Sequence, residues 1–322
     1  MASEILFERI GILGMGRMSM GLTIDLALKG RKIDMIDLKD RPASQREQYE
    51  IRLREECEKV LKLLNRDIES FQFPAYLAEP AAGVYDLIFE GLPEEIPLKH
   101  AAFAKLNESV GPETLICSMT STFTIEDLSK GFDPPLNILV THFMNPPYLL
   151  PFLEVVTHPA VHQEMVAKLF SFLRSAGHMP IACKSSPGFV ISRLQLGVMN
   201  EAVRLLEEGV ASAEDIDKAI KFGWGYRFPV MGILEFIDVG GLEILYHAGR
   251  SVSGELNRPD LACPNLIEER FNEGSLGTKT LRGIFNYESH DQVAKDDRAR
   301  IRKQIRLKTL LDEINREDGA WQ

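Results

Sequence analysis

A doubly wound α/β sheet followed by an all-α domain is the fold class the sequence predicts, and three observations predict it. Short apolar runs alternate with helical segments up to about residue 157, the pattern of a parallel sheet covered by helices. The first of these runs ends in a glycine-rich turn that leads straight into a helix. Beyond Pro187-Gly188 the apolar residues recur at helical spacing and strands give way to helices. The boundary follows the run Ile181–Lys184 and divides the chain into residues 1–185 and 186–322.

Ile5–Leu13 is apolar apart from Glu8 and Arg9 and reads as the first strand. It runs into Gly14-Met15-Gly16-Arg17-Met18-Ser19-Met20-Gly21 and the helical Leu22–Lys29. Strand, glycine turn and helix are the context of a dinucleotide fingerprint. Gly14 permits the tight turn, and Gly16 lets the backbone approach a pyrophosphate at the helix N-terminus. The third fingerprint position holds Ser19 in place of Gly or Ala, and Gly21 keeps the next turn open. A second strand, Lys32–Ile36, ends at Asp37. That is about 20 residues on, where an acid hydrogen-bonds the adenosine ribose and favours NAD over NADP. Lys39 and Arg41 lie beside it with opposite charge. Arg46 to about Asp67 is a charged amphipathic helix with Tyr49, Leu53, Val60, Leu61 and Leu64 as its apolar positions. Val84–Phe89 is a strand, His100–Ser109 a helix, and Thr114–Met119 a strand that ends in Thr120-Ser121-Thr122.

The next strand, Asn137–Val140, delivers Thr141-His142-Phe143-Met144-Asn145-Pro146-Pro147-Tyr148 at its C-terminal end, where open α/β sheets bind their ligands. A further apolar run, Leu149–Val156, carries Glu154 and can return as another strand. A His oriented by a carboxylate is a general acid/base pair; a half-buried His that merely packs, beside a solvated Glu, is the other reading of this stretch.

The chain has 322 residues, 45% of them hydrophobic, enough for two domains with full cores. A net charge of −10 leaves no basic face for nucleic acid, although a small anionic substrate can still meet a local positive site. Cys57, Cys117, Cys183 and Cys263 are far apart and form no CxxC pair, so they read as thiols in a reducing compartment, without a disulfide frame or a metal site. Neither a signal peptide nor an apolar run of about 18 residues is found, and a cytoplasmic protein is expected.

These motifs together resemble the L-3-hydroxyacyl-CoA dehydrogenase superfamily over essentially the whole chain. The resemblance implies a Rossmann NAD-binding domain, a helical substrate and dimerisation domain, and 3-hydroxybutyryl-CoA dehydrogenase-like chemistry of the kind used in fatty acid metabolism. In that family a Ser, a His and a Glu after successive strands surround the reacting carbon. Ser121, His142 and Glu154 fall at the family's intervals. The resemblance places Glu94 and Lys99 in the loop that contacts the nicotinamide end of the cofactor, and Gly14, Gly16, Met18 and Asp37 along the rest of it. A base takes the O–H proton while a hydride leaves, the carboxylate stabilises the imidazolium, and Ser121 hydrogen-bonds the substrate oxygen. One position departs from the pattern. Pro187-Gly188-Phe189-Val190-Ile191-Ser192-Arg193 has Ser192 where the family has Asn, which shortens the fourth polar contact.

In the C-terminal half, helices are expected over Val190–Glu208, Ala213–Phe222, Gly232–Arg250, Pro264–Glu273 and Gln292–Asn315. The family commonly dimerises through this domain, so a homodimer is expected. The segment Gly223-Trp224-Gly225-Tyr226-Arg227-Phe228 carries a basic residue that acyl-CoA members generally lack. With Asn145-Pro146-Pro147-Tyr148 it resembles the branch containing lambda-crystallin/L-gulonate, carnitine and pyridine-carboxylate dehydrogenases. Arg227 fits two readings, a clamp on a free substrate carboxylate and an ordinary ion pair. Asn145 is a candidate substrate contact of the same branch. The leading expectation is an NAD-dependent dehydrogenase oxidising a secondary alcohol β to a carboxyl group, as free acid or CoA thioester. The alternative is a crystallin-like or sensor protein that binds NADH with weakened turnover, favoured by Ser19 and Ser192.

Overall fold

The computed structural model describes residues 7–39, 41–69, 71–77, 85–107, 110–131 and 137–317. It has two compact units, Met1–Met199 and Asn200–Gln322. Among the described residues the first holds eight strands: β1 (Ile10–Leu13), β2 (Ile33–Ile36), β3 (Ala75–Leu77), β4 (Leu87–Glu90), β5 (Leu115–Ser118), β6 (Asn137–Phe143), β7 (Phe152–Val156) and β8 (Met179–Cys183). They form one sheet in the order β3-β2-β1-β4-β5-β6-β7-β8. Every pair is parallel except β6 with β7. The chain reverses direction in the sheet at β1, where it first extends through β2 and later resumes at β4, and this switch point is where such sheets open a ligand crevice.

The helices of this unit are α1 (Arg17–Leu28), α2 (Ala43–Leu63), α3 (Ile96–Asn107), α4 (Ile125–Ser129) and α5 (Gln163–Ser175), and α6 (Ile191–Glu207) carries the chain across the division between units. The sequence placed the domain boundary earlier, at the turn before α6. β1, β4 and β5 are buried at every position, as strands covered on both faces must be. α2 packs Leu53, Cys57, Val60 and Leu61 inward, and burial pushes the Cys57 thiol up to about 12. α5, which the sequence reading passed over, buries Val166, Leu169, Phe172 and Leu173 at helical spacing. A buried polar tie joins α1 to the start of β8: Asp25 lies 2.6 Å from Lys29 Nζ and 2.8 Å from His178 Nε2.

Several element ends move from their expected positions. The expected starts at Ile5 and Val84 and the expected helix end at Ser109 lie outside the described residues. The first helix begins at Arg17, directly at the glycine turn. β6 continues past Val140 to Phe143 because β7 supplies antiparallel partners as far as Phe143↔Leu153. His142 therefore lies within a paired strand, and its register partner is Glu154.

The second unit is helical: α7 (Ala213–Lys218), α8 (Ile233–Gly240), α9 (Leu242–Glu255), α10 (Asn265–Asn272) and α11 (His290–Glu317). A π-helical turn, Ala219–Trp224, follows α7. The single helix expected over Gly232–Arg250 is two, because Gly241 adopts φ 103° between them. Asp238, fully buried at the end of α8, accepts hydrogen bonds from the amides of Ile284 and Phe285 (2.8 Å each) and from the Tyr287 hydroxyl (2.9 Å). One carboxylate thus fixes the turn that precedes α11.

Candidate active site

The glycine turn, the end of β2, residues 91–94 and one side of α3 line an open cleft of about 590 Å³. Gly14, Gly16, Met18, Asp37, Glu94 and Ser121 all lie on its wall. Gly14 has φ 103°, and a Cβ there would sit 2.9 Å from the carbonyl oxygen of Gly91, so both conformation and space require glycine. Gly16 caps α1 in an extended conformation and leaves the helix N-terminus bare, which suits a pyrophosphate. Ser19 is fully buried and its hydroxyl lies 3.3 Å from the Gly91 carbonyl. A Cβ on Gly91 would fall 2.3 Å from that hydroxyl, so the larger residue at position 19 is matched by a bare one at 91. Gly21 makes room for the Pro147 ring, which a Cβ would approach to 3.0 Å. Asp37 is buried at the end of β2, accepts from the Lys39 amide at 3.1 Å and is paired with the Arg41 guanidinium. Arg41 also rests on the Tyr49 ring, 4.4 Å from its centre. A bare helix start, a turn only glycine can make and a ribose-binding acid together fit a dinucleotide.

At the same C-terminal edge of the sheet, Ser121 follows β5, and His142 lies near the end of its neighbour β6. His142 Nδ1 is 2.7 Å from Glu154 Oε2. Glu154 is fully buried, and its other oxygen accepts the amides of Val190 (2.6 Å) and Ile191 (2.8 Å) at the start of α6. A carboxylate can only accept, so Nδ1 carries the proton of the neutral ring and Nε2 is the lone-pair nitrogen. Phe189, held at φ 45° after Gly188 at φ 75°, stands beside the imidazole with ring centres 5.8 Å apart. That φ is strained for a residue with a side chain. It turns the chain so that the next two amides meet Glu154.

Lys99 is not on the cleft wall. It is 1% exposed and its Nζ lies 2.7 Å from Oε1 of a fully buried Glu90. Glu90 also accepts from the Leu92 amide (2.6 Å) and the Ser118 hydroxyl (2.5 Å). The basic side chain that α3 does present to the cleft is Lys105. Glu94 receives donors from the Ser121 loop. Burial alone would raise its carboxyl, but the hydroxyls of Thr120 and Thr122, Lys99 and the Ser121 amide outweigh that and hold it below its usual value. Glu90 was missed in the sequence although it ends an apolar strand at the ligand edge, which was the available signal. The threonines flanking Ser121 were missed too, since hydroxyls beside a serine carry no distinct pattern.

Three candidates remain: Ser192, Asn145 and Arg227. Ser192 is half-buried in the first turn of α6, next to Ile191. Asn145 is exposed in the connection between β6 and β7, before a cis peptide to Pro146. Arg227 belongs to the second unit, where its guanidinium lies over the Phe236 ring, 4.5 Å from the centre. No helix among the described residues is long and apolar enough to cross a membrane.

Comparison with known proteins agrees with this layout. Residues 9–186 match the family model described as 3-hydroxyacyl-CoA dehydrogenase, NAD binding domain. Residues 188–287 match 3-hydroxyacyl-CoA dehydrogenase, C-terminal domain. The chain is 27% identical to 5-formyl-3-hydroxy-2-methylpyridine 4-carboxylate 5-dehydrogenase of Mesorhizobium japonicum, over 95% of this chain and 99% of that one. It is 28% identical to the mitochondrial hydroxyacyl-coenzyme A dehydrogenase of Sus scrofa, over 89% and 93% of the two chains. Among solved structures, a 5-formyl-3-hydroxy-2-methylpyridine 4-carboxylic acid 5-dehydrogenase described as an NAD+ dependent dismutase superposes with a TM-score of 0.66 at 28% identity, covering 95% of this chain and 98% of that one.

Proposed function

The chain belongs to the 3-hydroxyacyl-CoA dehydrogenase family, whose N-terminal domain binds NAD, and from that premise we propose that it oxidises a secondary alcohol β to a carboxyl group, with His142 as the general base. The observation that carries this reading is the His142–Glu154 pair, 2.7 Å apart with the carboxylate fully buried. Bound NAD supplies the acceptor for the hydride. His142 Nε2 takes the hydroxyl proton. Glu154 holds the ring in the right tautomer and stabilises the imidazolium that forms. The Ser121 hydroxyl hydrogen-bonds the oxygen that becomes the carbonyl, and in reduction it supports the charge on that oxygen. Ser192, at the start of α6, takes the place of the family Asn with a shorter reach. In this reading residues 1–185 are the cofactor domain and 186–322 the substrate and dimerisation domain. Gly14, Gly16, Met18, Asp37 and Glu94 serve the cofactor.

For the substrate we favour a small free carboxylate over a CoA thioester, with Arg227 and Asn145 as its contacts. Two things support this: the relative from Mesorhizobium japonicum is named for a pyridine carboxylate, and an Arg can grip a carboxylate through two parallel hydrogen bonds. The partner is a second copy of the chain. Among the described residues of the second unit, only Met231, Leu242, Tyr246 and Ile267 are buried apolar side chains. Leu194, Leu196, Met199, Val203 and Leu206 stand exposed along α6, and Ile301, Ile305, Leu310 and Ile314 along α11. Apolar surface on that scale marks an association site. Light scattering that returns the mass of one chain would rule the dimer out.

The central experiment is His142→Ala. NADH binding, followed by fluorescence, should stay intact while turnover falls by about 10³-fold or more, a loss in the range of a removed acid/base group; turnover that survives this change defeats the proposal. Across a panel of 3-hydroxy acids, Arg227→Ala should raise KM by at least about tenfold for the true substrate, as loss of a charge-assisted pair implies. Unchanged kinetics with every free acid, together with tight binding of CoA itself, would move the assignment to the thioester.

A further inference from the structure

The loop that carries Ser121 is shaped from outside itself. Four of its donors converge on one oxygen, Glu94 Oε1: the Thr120 hydroxyl, the amides of Ser121 and Thr122 at 3.2 Å each, and the Thr122 hydroxyl at 2.7 Å. Amides and hydroxyls aimed at one point form a nest for an anion, and the protein fills it with its own carboxylate. The second oxygen of Glu94 faces Lys99 Nζ at 3.4 Å. Lys99 is immobilised by Glu90 at 2.7 Å and by the Leu92 carbonyl at 3.3 Å. Glu90 in turn holds the Ser118 hydroxyl at the end of β5, just before the loop. A continuous polar chain therefore runs from the end of β5, through Glu90, Lys99 and Glu94, back to residues 120–122.

We propose that Glu94 is a positioning residue for Ser121: its carboxylate, backed by Lys99 and Glu90, fixes the loop from which the Ser121 hydroxyl meets the substrate oxygen. This rests on the role of Ser121 given above and adds to it. The family resemblance ties Glu94 and Lys99 to the cofactor. The geometry gives Lys99 no share of the cleft wall, and it gives Glu94 a task on the substrate side. A hydrogen-bond donor acts on a developing charge only when it is held where that charge appears. Ser121 has one rotatable hydroxyl, so its aim depends on the backbone that Glu94 grips. Without the carboxylate, four donors lose their common acceptor and turn to water, and the loop loses the point on which it is centred.

The test combines a double-mutant cycle with chemical rescue. Measured at saturating cofactor, so that the place of Glu94 on the cleft wall does not enter, Ser121→Ala and Glu94→Ala should each lower kcat by about ten- to a hundredfold; the scale is that of a lost or misaimed donor. Their combination should be no worse than the weaker single variant by more than about threefold, because both remove one interaction. The Glu94 side chain is 37% exposed, so the space it vacates is open to small solutes. Acetate or formate should therefore restore kcat of Glu94→Ala at least fivefold and leave Ser121→Ala and the double variant unmoved. A general loss of packing would not respond to acetate in this selective way. Glu94→Gln, which keeps an acceptor for the loop and loses the charge toward Lys99, should fall between wild type and Glu94→Ala. Losses that multiply in the double variant, or a Glu94→Ala defect confined to NADH affinity, overturn the inference while leaving the dehydrogenase reading in place. A Ser121→Ala enzyme with unchanged kcat removes the role of Ser121 itself, and the inference with it. Loss of turnover in His142→Ala is independent of both.

Discussion

Two glutamates of the N-terminal unit collect backbone amides, and they use them in opposite ways. Glu154 is fully buried and divides its oxygens, one for the amides that open α6 and one for His142. Glu94 is 37% exposed and gathers a whole loop on one oxygen, leaving the other toward Lys99. The first is a fixed electrostatic element, in which every strong acceptor position faces a donor that water cannot replace. The second is a geometric clasp whose donors have water as a fallback. A change at Glu154 should therefore strike chemistry and stability together, whereas a change at Glu94 should strike geometry and leave the fold standing.

The sharpest way to break this contrast is Glu154→Gln. An amide cannot accept from the two α6 amides and from His142 Nδ1 at once without turning its own NH2 toward a donor. We expect kcat to fall by about 10⁴-fold, as when a His loses the carboxylate that orients it. Unfolding in urea should show a loss of about 1–3 kcal/mol, the cost of a buried mismatched polar group. A variant that is slow but fully stable would mean that the α6 amides are satisfied without Glu154. The smallest expected effect lies on the other side. The Glu94 carboxyl is held below its usual value, so its ionised form is favoured by folding. It contributes stability above the ordinary carboxylate range near pH 4.3, and that contribution disappears as pH falls through the lowered folded value. Because the side chain is more than a third exposed, solvent screening should keep the effect under about 1 kcal/mol. Glu94→Gln should flatten this part of the acid limb in thermal melts between pH 3 and 6. A limb as steep as that of wild type would remove Glu94 from the account.

Much of this arrangement was legible in the sequence because the residue types at strand ends are few. Gly14, Asp37 and His142 each follow an apolar run at the sheet edge where ligands bind, which singles them out. Glu154 could be read as the partner of His142 because the apolar run that carries it can return as an antiparallel strand. Its other task, holding the start of α6, was hidden, since backbone amides carry no sequence signal. Glu90 escaped notice because it looks like the polar end of a strand, and its lysine lies in a following helix that only packing brings near. The resemblance ties Lys99 to the cofactor, and its buried partners, Glu90 and the Leu92 carbonyl, are set by packing that no motif shows. The break at Gly241 was missed because the apolar spacing continues through it, and one glycine does not announce a φ of 103°.

The fit of Ser19 against Gly91 ties the glycine turn to the end of β4. Position 19 lies in the glycine fingerprint and position 91 follows β4, yet the hydroxyl of one occupies the volume in which a Cβ of the other would stand. Gly91 cannot gain a side chain while Ser19 keeps its place. A Cβ at 91 would also fall 2.4 Å from the Met119 Cε, so a side chain there would have to displace both neighbours. The third fingerprint position of this chain is thus fitted against the residue after β4, and the departure at Ser19 is absorbed there.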